Sequence, residues 1–177
     1  MPERVPCHMA QLQIPNFGQL LSPFIGQVPP SVMPRFLALL ERGAADRYRE
    51  WAETLPAHAD VLLQCAASED EIADRVESVF TLDEALRDEL VAPLPGAKQT
   101  YYEAFSGMDV WDQLRVQADA ERQGAQAWRN IAARMTDERV IAELAACSAL
   151  EEKSADRLDA LISTANATAT ANATATA

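Results

Sequence analysis

Residues 41–52, ERGAADRYREWA, and residues 121–132, ERQGAQAWRNIA, are two copies of one pattern. Glu41/Glu121, Arg42/Arg122, Ala45/Ala125, Tyr48/Trp128, Arg49/Arg129 and Ala52/Ala132 coincide at a shift of 80 positions. A second pair of strings follows. Residues 65–76, CAASEDEIADRV, match residues 147–158, CSALEEKSADRL, through Cys65/Cys147, Glu69/Glu151, Ala73/Ala155, Asp74/Asp156 and Arg75/Arg157 at a shift of 82. Repetition of this kind marks one supersecondary unit used twice.

Helical periodicity sets the direction of the repeated acids. Glu41 shares a stripe with Ala44, Ala45, Tyr48 and Ala52, and Glu121 shares one with Ala125, Trp128 and Ala132, so both glutamates belong to apolar faces. Cys65, Glu69 and Ala73, like Cys147, Glu151 and Ala155, recur at i, i+4 and i+8. Height follows from the turns. The midpoint of 41 and 69 is 55, within Thr54-Leu55-Pro56, and the midpoint of 121 and 151 lies at 136, beside Thr136-Asp137. In antiparallel hairpins rising about 1.5 Å per residue, each pair therefore reaches one level about 20 Å from its turn. The pattern predicts four carboxylates in a single layer.

Working outward, the sequence predicts an all-α chain with helices over about 32–53, 56–80, 108–135 and 137–162. Together they form a bundle over 31–163. Ser31 is a capping residue for the first helix, with Pro34 near its start, and Pro56 suits the first position of the second. Residues 81–107 read as a long crossover. Thr81-Leu82-Asp83-Glu84 is a capping-box pattern opening a brief helix before Pro93, and connecting structure follows from Gly96 to Gly107. Prolines 2, 6, 15, 23, 29 and 30 deny residues 1–30 a continuous helix. That segment reads as an apolar arm lying on the bundle or on a partner subunit. Residues 164–177, built only from Ala, Thr and Asn, read as a low-complexity tail.

Composition narrows the function classes. With 15 Lys+Arg against 27 Asp+Glu, the chain carries a formal charge of −12 and repels both nucleic-acid backbones and anionic membranes. No apolar run approaches the roughly 20 residues that span a bilayer. Cys7, Cys65 and Cys147 make neither a zinc pattern nor an even disulfide set, and the expected compartment is the reducing cytoplasm. No phosphate-binding glycine loop, Cys-x-x-Cys pair or nucleophile elbow is present.

Four buried anions in one layer are unstable alone, because an unpaired interior carboxylate costs several kcal/mol or takes up a proton. Bridging divalent cations are one remedy. Proton sharing and salt bridges to Arg42, Arg75, Arg122 or Arg157 are the other.

At these residues the chain resembles the ferritin-like superfamily, and most closely its rubrerythrin branch, over about residues 32–162. The resemblance implies a four-helix bundle of two hairpins, a dimetal site built from Glu41, Glu69, Glu121 and Glu151, oxidoreductase chemistry and a homodimer. The chain departs from the family pattern at the two ligand histidines, which stand three residues after the second-helix glutamates: Ile72 and Ser154 occupy those positions. An oxygen-only donor set remains, with Ser154 able to act through water. Of the divalent metals Fe, Mn and Mg, such a set is one that the harder Mn²⁺ or Mg²⁺ accepts, and loss of both imidazoles argues against typical di-iron activity. The alternative from another class is a metal-free bundle serving as a binding or assembly module.

Remaining polar and aromatic candidates have ordinary roles. His8 and His58 fall outside the predicted layer, and Cys65 and Cys147 read as small core residues about 12 Å apart along the axis, beyond disulfide range. Tyr48 and Trp128 read as core aromatics next to the layer. No catalytic residue is assigned from sequence.

Overall fold

The computed structural model describes the backbone of residues 12–175 and the side chains of residues 12–167; the first part of the arm, with Cys7 and His8, lies outside the described residues. Within that range every regular element is helical: α1 (Phe17–Ile25), α2 (Met33–Thr54), α3 (Ala59–Val79), α4 (Arg87–Val91), α5 (Leu94–Glu103), α6 (Val110–Ala132) and α7 (Glu138–Ala175). Short 3-10 turns at Pro56–His58 and Glu84–Leu86 precede α3 and α4.

Local chemistry explains most boundaries. Leu55 closes α2 by donating its N–H to the Trp51 carbonyl, and Pro56, which has no N–H to continue the ladder, opens the 3-10 turn. Asp109 caps α6 by accepting from Asp112 N, and Asp137 starts α7 by accepting from Arg139 N and Val140 N. Three expectations change. Val32, not Ser31, sits at the cap of α2, without a side-chain bond, because Pro34 already fixes the first turn. Asp83, rather than Thr81, caps the turn before α4. The stretch read as connecting structure contains α5, whose first turn accommodates Pro95 where no intrahelical N–H is required.

The N-terminal arm contributes α1 despite Pro23, and it lies against α5 and α6 of its own chain. Gln123 of α6 holds it there, accepting from Phe17 N at 2.9 Å and donating to the Pro15 carbonyl at 2.9 Å. At the other terminus the helix expected to end near Ile162 runs on through the Ala/Thr/Asn stretch to Ala175. Alanine has the best helix propensity, and no Gly or Pro interrupts the register.

Packing follows the two repeated strings. α2 packs on α3, α6 on α7, and α3 on α7, whereas α2 and α6 have no comparable packing with each other. The main core is split in two. One block gathers Tyr48, Trp51, Leu62, Cys65, Leu114, Leu158 and Leu161; the other gathers Ala38, Ile72, Val76, Trp128, Leu144 and Cys147. The repeated glutamates lie between these blocks on the same helix faces. Phe36 of α2 nucleates a third cluster with Val28, Leu90 and Ala97, flanked by Leu21, Phe24 and Ile25 of α1. That cluster anchors the arm and crossover beside the open α2–α6 side.

Candidate metal centre

Each of the four acids occupies a slot that would otherwise hold an apolar side chain. Glu69, Glu121 and Glu151 are 1%, 2% and 3% exposed, and Glu41 is half-buried on the wall of a cavity between α2 and α6. Carboxylate oxygens of Glu41, Glu69 and Glu151 all lie within 4.8 Å of one another. Glu121 faces the same group. Its charge raises the pKa of both Glu41 and Glu69, and all four residues line the same cavity. The hairpin geometry thus brings both pairs of acids together.

Hydrogen bonding to the cluster is one-sided. Glu121 Oε1 accepts from Tyr48 Oη at 2.6 Å and from Gln117 Nε2 at 2.6 Å, and Gln117 in turn accepts from Tyr101 Oη at 2.8 Å. Trp128 Nε1 donates to Glu151 Oε1 at 3.0 Å. Among the described residues Glu69 Oε1 and Glu121 Oε2 are buried with no donor from another side chain or the backbone, and the acids lie within hydrogen-bonding reach of one another, Glu69 of Glu41 and of Glu121. Leaving such an oxygen unsatisfied costs roughly 1–3 kcal/mol, and more when the group is charged.

The basic residues expected to neutralise the layer are engaged elsewhere. Arg42 pairs with Asp70, Asp74 and Glu77 at 3.5, 2.8 and 3.2 Å, and Arg75 pairs with Glu71 and Glu143, each at 2.7 Å. Arg122 pairs with Asp159, and Arg157 donates to Ser68 Oγ at 3.0 Å. Among the described residues no salt bridge reaches Glu41, Glu69, Glu121 or Glu151. Helical direction explains this: each arginine follows its glutamate by one residue or more and projects from the outer edge of the stripe. Burial, aided by the Glu121 charge, consequently pushes Glu41 up to about 8. Burial and the neighbouring carboxylates hold Glu69 and Glu151 well above the usual range.

Of the other candidates, Ser154 is fully buried with an unpartnered hydroxyl, but it does not line the cavity. Ile72 belongs to the apolar block beside Trp128. Cys65 and Cys147 are free and buried, and burial pushes each thiol up to about 12, so they remain protonated core groups. His58 stacks edge-on against Trp111 at 5.5 Å, and it does not line the cavity.

Sequence reasoning passed over Gln117 and Gly124, and it treated Tyr48 and Trp128 as packing alone. Gln117 stands one turn before Glu121 on the same face, a spacing that signals its contact. Gly124 carries a different signal: a glycine inside a 23-residue helix, where alanine would be preferred. A Cβ there would come within 2.5 Å of Glu151 Oε1. Gly124→Ala should regain about 0.5–1 kcal/mol of helix propensity yet displace the Glu151 carboxylate from its place beside the like charges of Glu41 and Glu121 and its Trp128 donor. The expected net result is a loss of about 1–2 kcal/mol in urea unfolding. Equal or greater stability would show that the carboxylate has room to move.

No protein-family model matches the chain, and neither a curated protein nor a solved structure matches it significantly.

Proposed function

We propose that this chain is a ferritin-like bundle, related in design to rubrerythrin, that binds one or two divalent metal ions through Glu41, Glu69, Glu121 and Glu151. The observation that carries this reading is the convergence of Glu41, Glu69 and Glu151 oxygens within 4.8 Å beside buried Glu121, with no cationic side chain paired to these acids among the described residues. Oxygen donors that converge within a few ångströms fit a hard or borderline divalent ion. When bound, a redox-active ion would supply electron transfer, and Mn²⁺ or Mg²⁺ would supply Lewis acidity. The chain's own part is to hold the donors. Tyr48 and Gln117 fix one oxygen of Glu121, Trp128 fixes one of Glu151, and the two apolar blocks keep the layer dry on either side.

The competing reading is a metal-free bundle used for binding or assembly, in which the layer is held by shared protons; the upward shift of Glu41 to about 8 supports it. Elemental analysis of protein purified without chelator, followed by Mn²⁺ and Fe²⁺ titration of chelator-treated protein, separates the two. The metal reading expects up to two ions per chain and a melting temperature that rises with ion concentration. A metal content near zero that stays there on reconstitution overturns it.

A further inference from the structure

The two hairpins repeat their cores, so an interior position where the copies differ in kind marks a role that packing does not require. Residues 113–120 of α6 align with residues 33–40 of α2 at the same shift of 80, with Arg115 over Arg35 and Ala118 over Ala38. Within that alignment the buried Gln117 stands where the first hairpin carries Leu37, a partly buried side chain packed on an apolar block. Its amide is matched at both ends. Nε2 donates to Glu121 Oε1 at 2.6 Å, and Oε1 accepts from Tyr101 Oη at 2.8 Å. The order is dictated by chemistry: an ionised carboxylate only accepts, so the NH2 group faces Glu121, and the carbonyl at the other end then needs a donor. Tyr101 supplies it from α5, which belongs to the crossover and to neither hairpin. Its ring is held by Phe17 of α1 and by Phe105, at centroid distances of 5.9 and 5.1 Å. The arm and the crossover therefore set together where that hydroxyl points.

We propose that Tyr101 is a positioning residue for the metal centre: acting through the Gln117 amide, it holds Glu121 Oε1 and so fixes which oxygen of Glu121 is offered to an ion. The inference deepens the metal-centre reading and rests on it. Without the hydroxyl, the Gln117 carbonyl becomes a buried acceptor lacking its donor, and nothing opposes rotation of the amide away from Glu121. Tyr48 would then be the remaining donor to that oxygen. Losing an outer hydrogen-bond partner of a metal ligand typically costs about 10–100-fold in metal affinity, and a group one step further out costs less.

The test measures Mn²⁺ affinity of the full chain by calorimetry in the parent, Tyr101→Phe, Gln117→Leu and the double variant. Phenylalanine keeps the ring packing, and leucine is the residue that the first hairpin uses at this place. Gln117→Met, of similar volume, takes the place of the leucine variant if that one does not fold. Tyr101→Phe should weaken Mn²⁺ binding about threefold to tenfold, and Gln117→Leu about tenfold or more. Because the hydroxyl acts through the amide, the double variant should match Gln117→Leu within about twofold. Tyr102→Phe is the control. Its hydroxyl, on the same helix, donates to exposed Glu50 at 3.0 Å, and its loss should leave Mn²⁺ affinity within about twofold of the parent. Unchanged affinity in Tyr101→Phe, losses that multiply in the double variant, or an equal loss in Tyr102→Phe would overturn the proposal. Failure is assignable. A parent that binds Mn²⁺ no better than Tyr101→Phe removes this inference alone, whereas a parent that takes up no Mn²⁺ removes the metal reading and the inference with it.

Discussion

Between pH 4.5 and about 8 the metal-free protein is expected to lose stability steadily, the reverse of the trend imposed by ion-paired carboxylates. A carboxyl whose folded pKa lies above its unfolded one binds more protons in the native state. Its stabilisation is complete below the unfolded value, and it disappears as pH rises through the folded value. For Glu41 the window runs from 4.5 to about 8, at up to about 1.4 kcal/mol per pH unit. Glu69 and Glu151 shift in the same direction and steepen the fall. Urea unfolding in the presence of chelator at pH 5, 6, 7 and 8 measures it, and a flat or rising profile would sink the account of a partnerless acid layer. Saturating Mn²⁺ should reverse the slope, because metal and protons compete for the same oxygens.

Replacing Glu69 and Glu151 together by Gln should raise the stability of the metal-free protein by about 2 kcal/mol at pH 8, a gain of roughly 4–8 °C in melting temperature. Both carboxylates are buried and surrounded by like charge, so neutral amides remove repulsion without changing volume. An amide at position 69 also offers a donor to the Glu121 carboxylate, whose charge acts on Glu69 in the parent. The same variant should lose the rise in melting temperature that Mn²⁺ produces in the parent, and its pH profile should flatten. That flattening isolates the layer from general surface repulsion at a net charge of −12, which the substitution barely alters. A lower melting temperature than the parent in chelator would mean that these acids stabilise the fold unaided.

Much of the layer was legible because it depends on local rules. Glutamate spacing on a 3.6-residue period and turns at positions near 55 and 136 suffice to set direction and height, and oxygens of Glu41, Glu69 and Glu151 converge within 4.8 Å, between turns at Leu55 and Asp137. Capping was less legible: Ser31 and Thr81 are good caps by residue type, but Pro34 and Asp83 settle those starts one or two residues away. The extension of α7 to Ala175 was read as low complexity because composition reports the absence of a core, not the absence of a helix. The cavity could not be read at all. It is created by the separation of α2 from α6 and by α1 folding back against α6 through Gln123, contacts between residues more than a hundred positions apart. For the same reason the second role of Tyr48 and Trp128, as hydrogen-bond donors to carboxylates on a neighbouring helix, was hidden behind their evident role in the core.

The stiff α3–α7 seam and the parted α2–α6 side give the molecule the mechanics of a bound book. One edge is a spine, and the two hairpins are its covers. Near the foot of the opening, Arg47 and Trp51 of one cover both reach Gln113 of the other, at 2.7 and 2.8 Å, and act as a lower clasp. The short helix pinned by Gln123 is an upper one. Parting the open edge further would break contacts made through side chains, while every helix ladder stays closed.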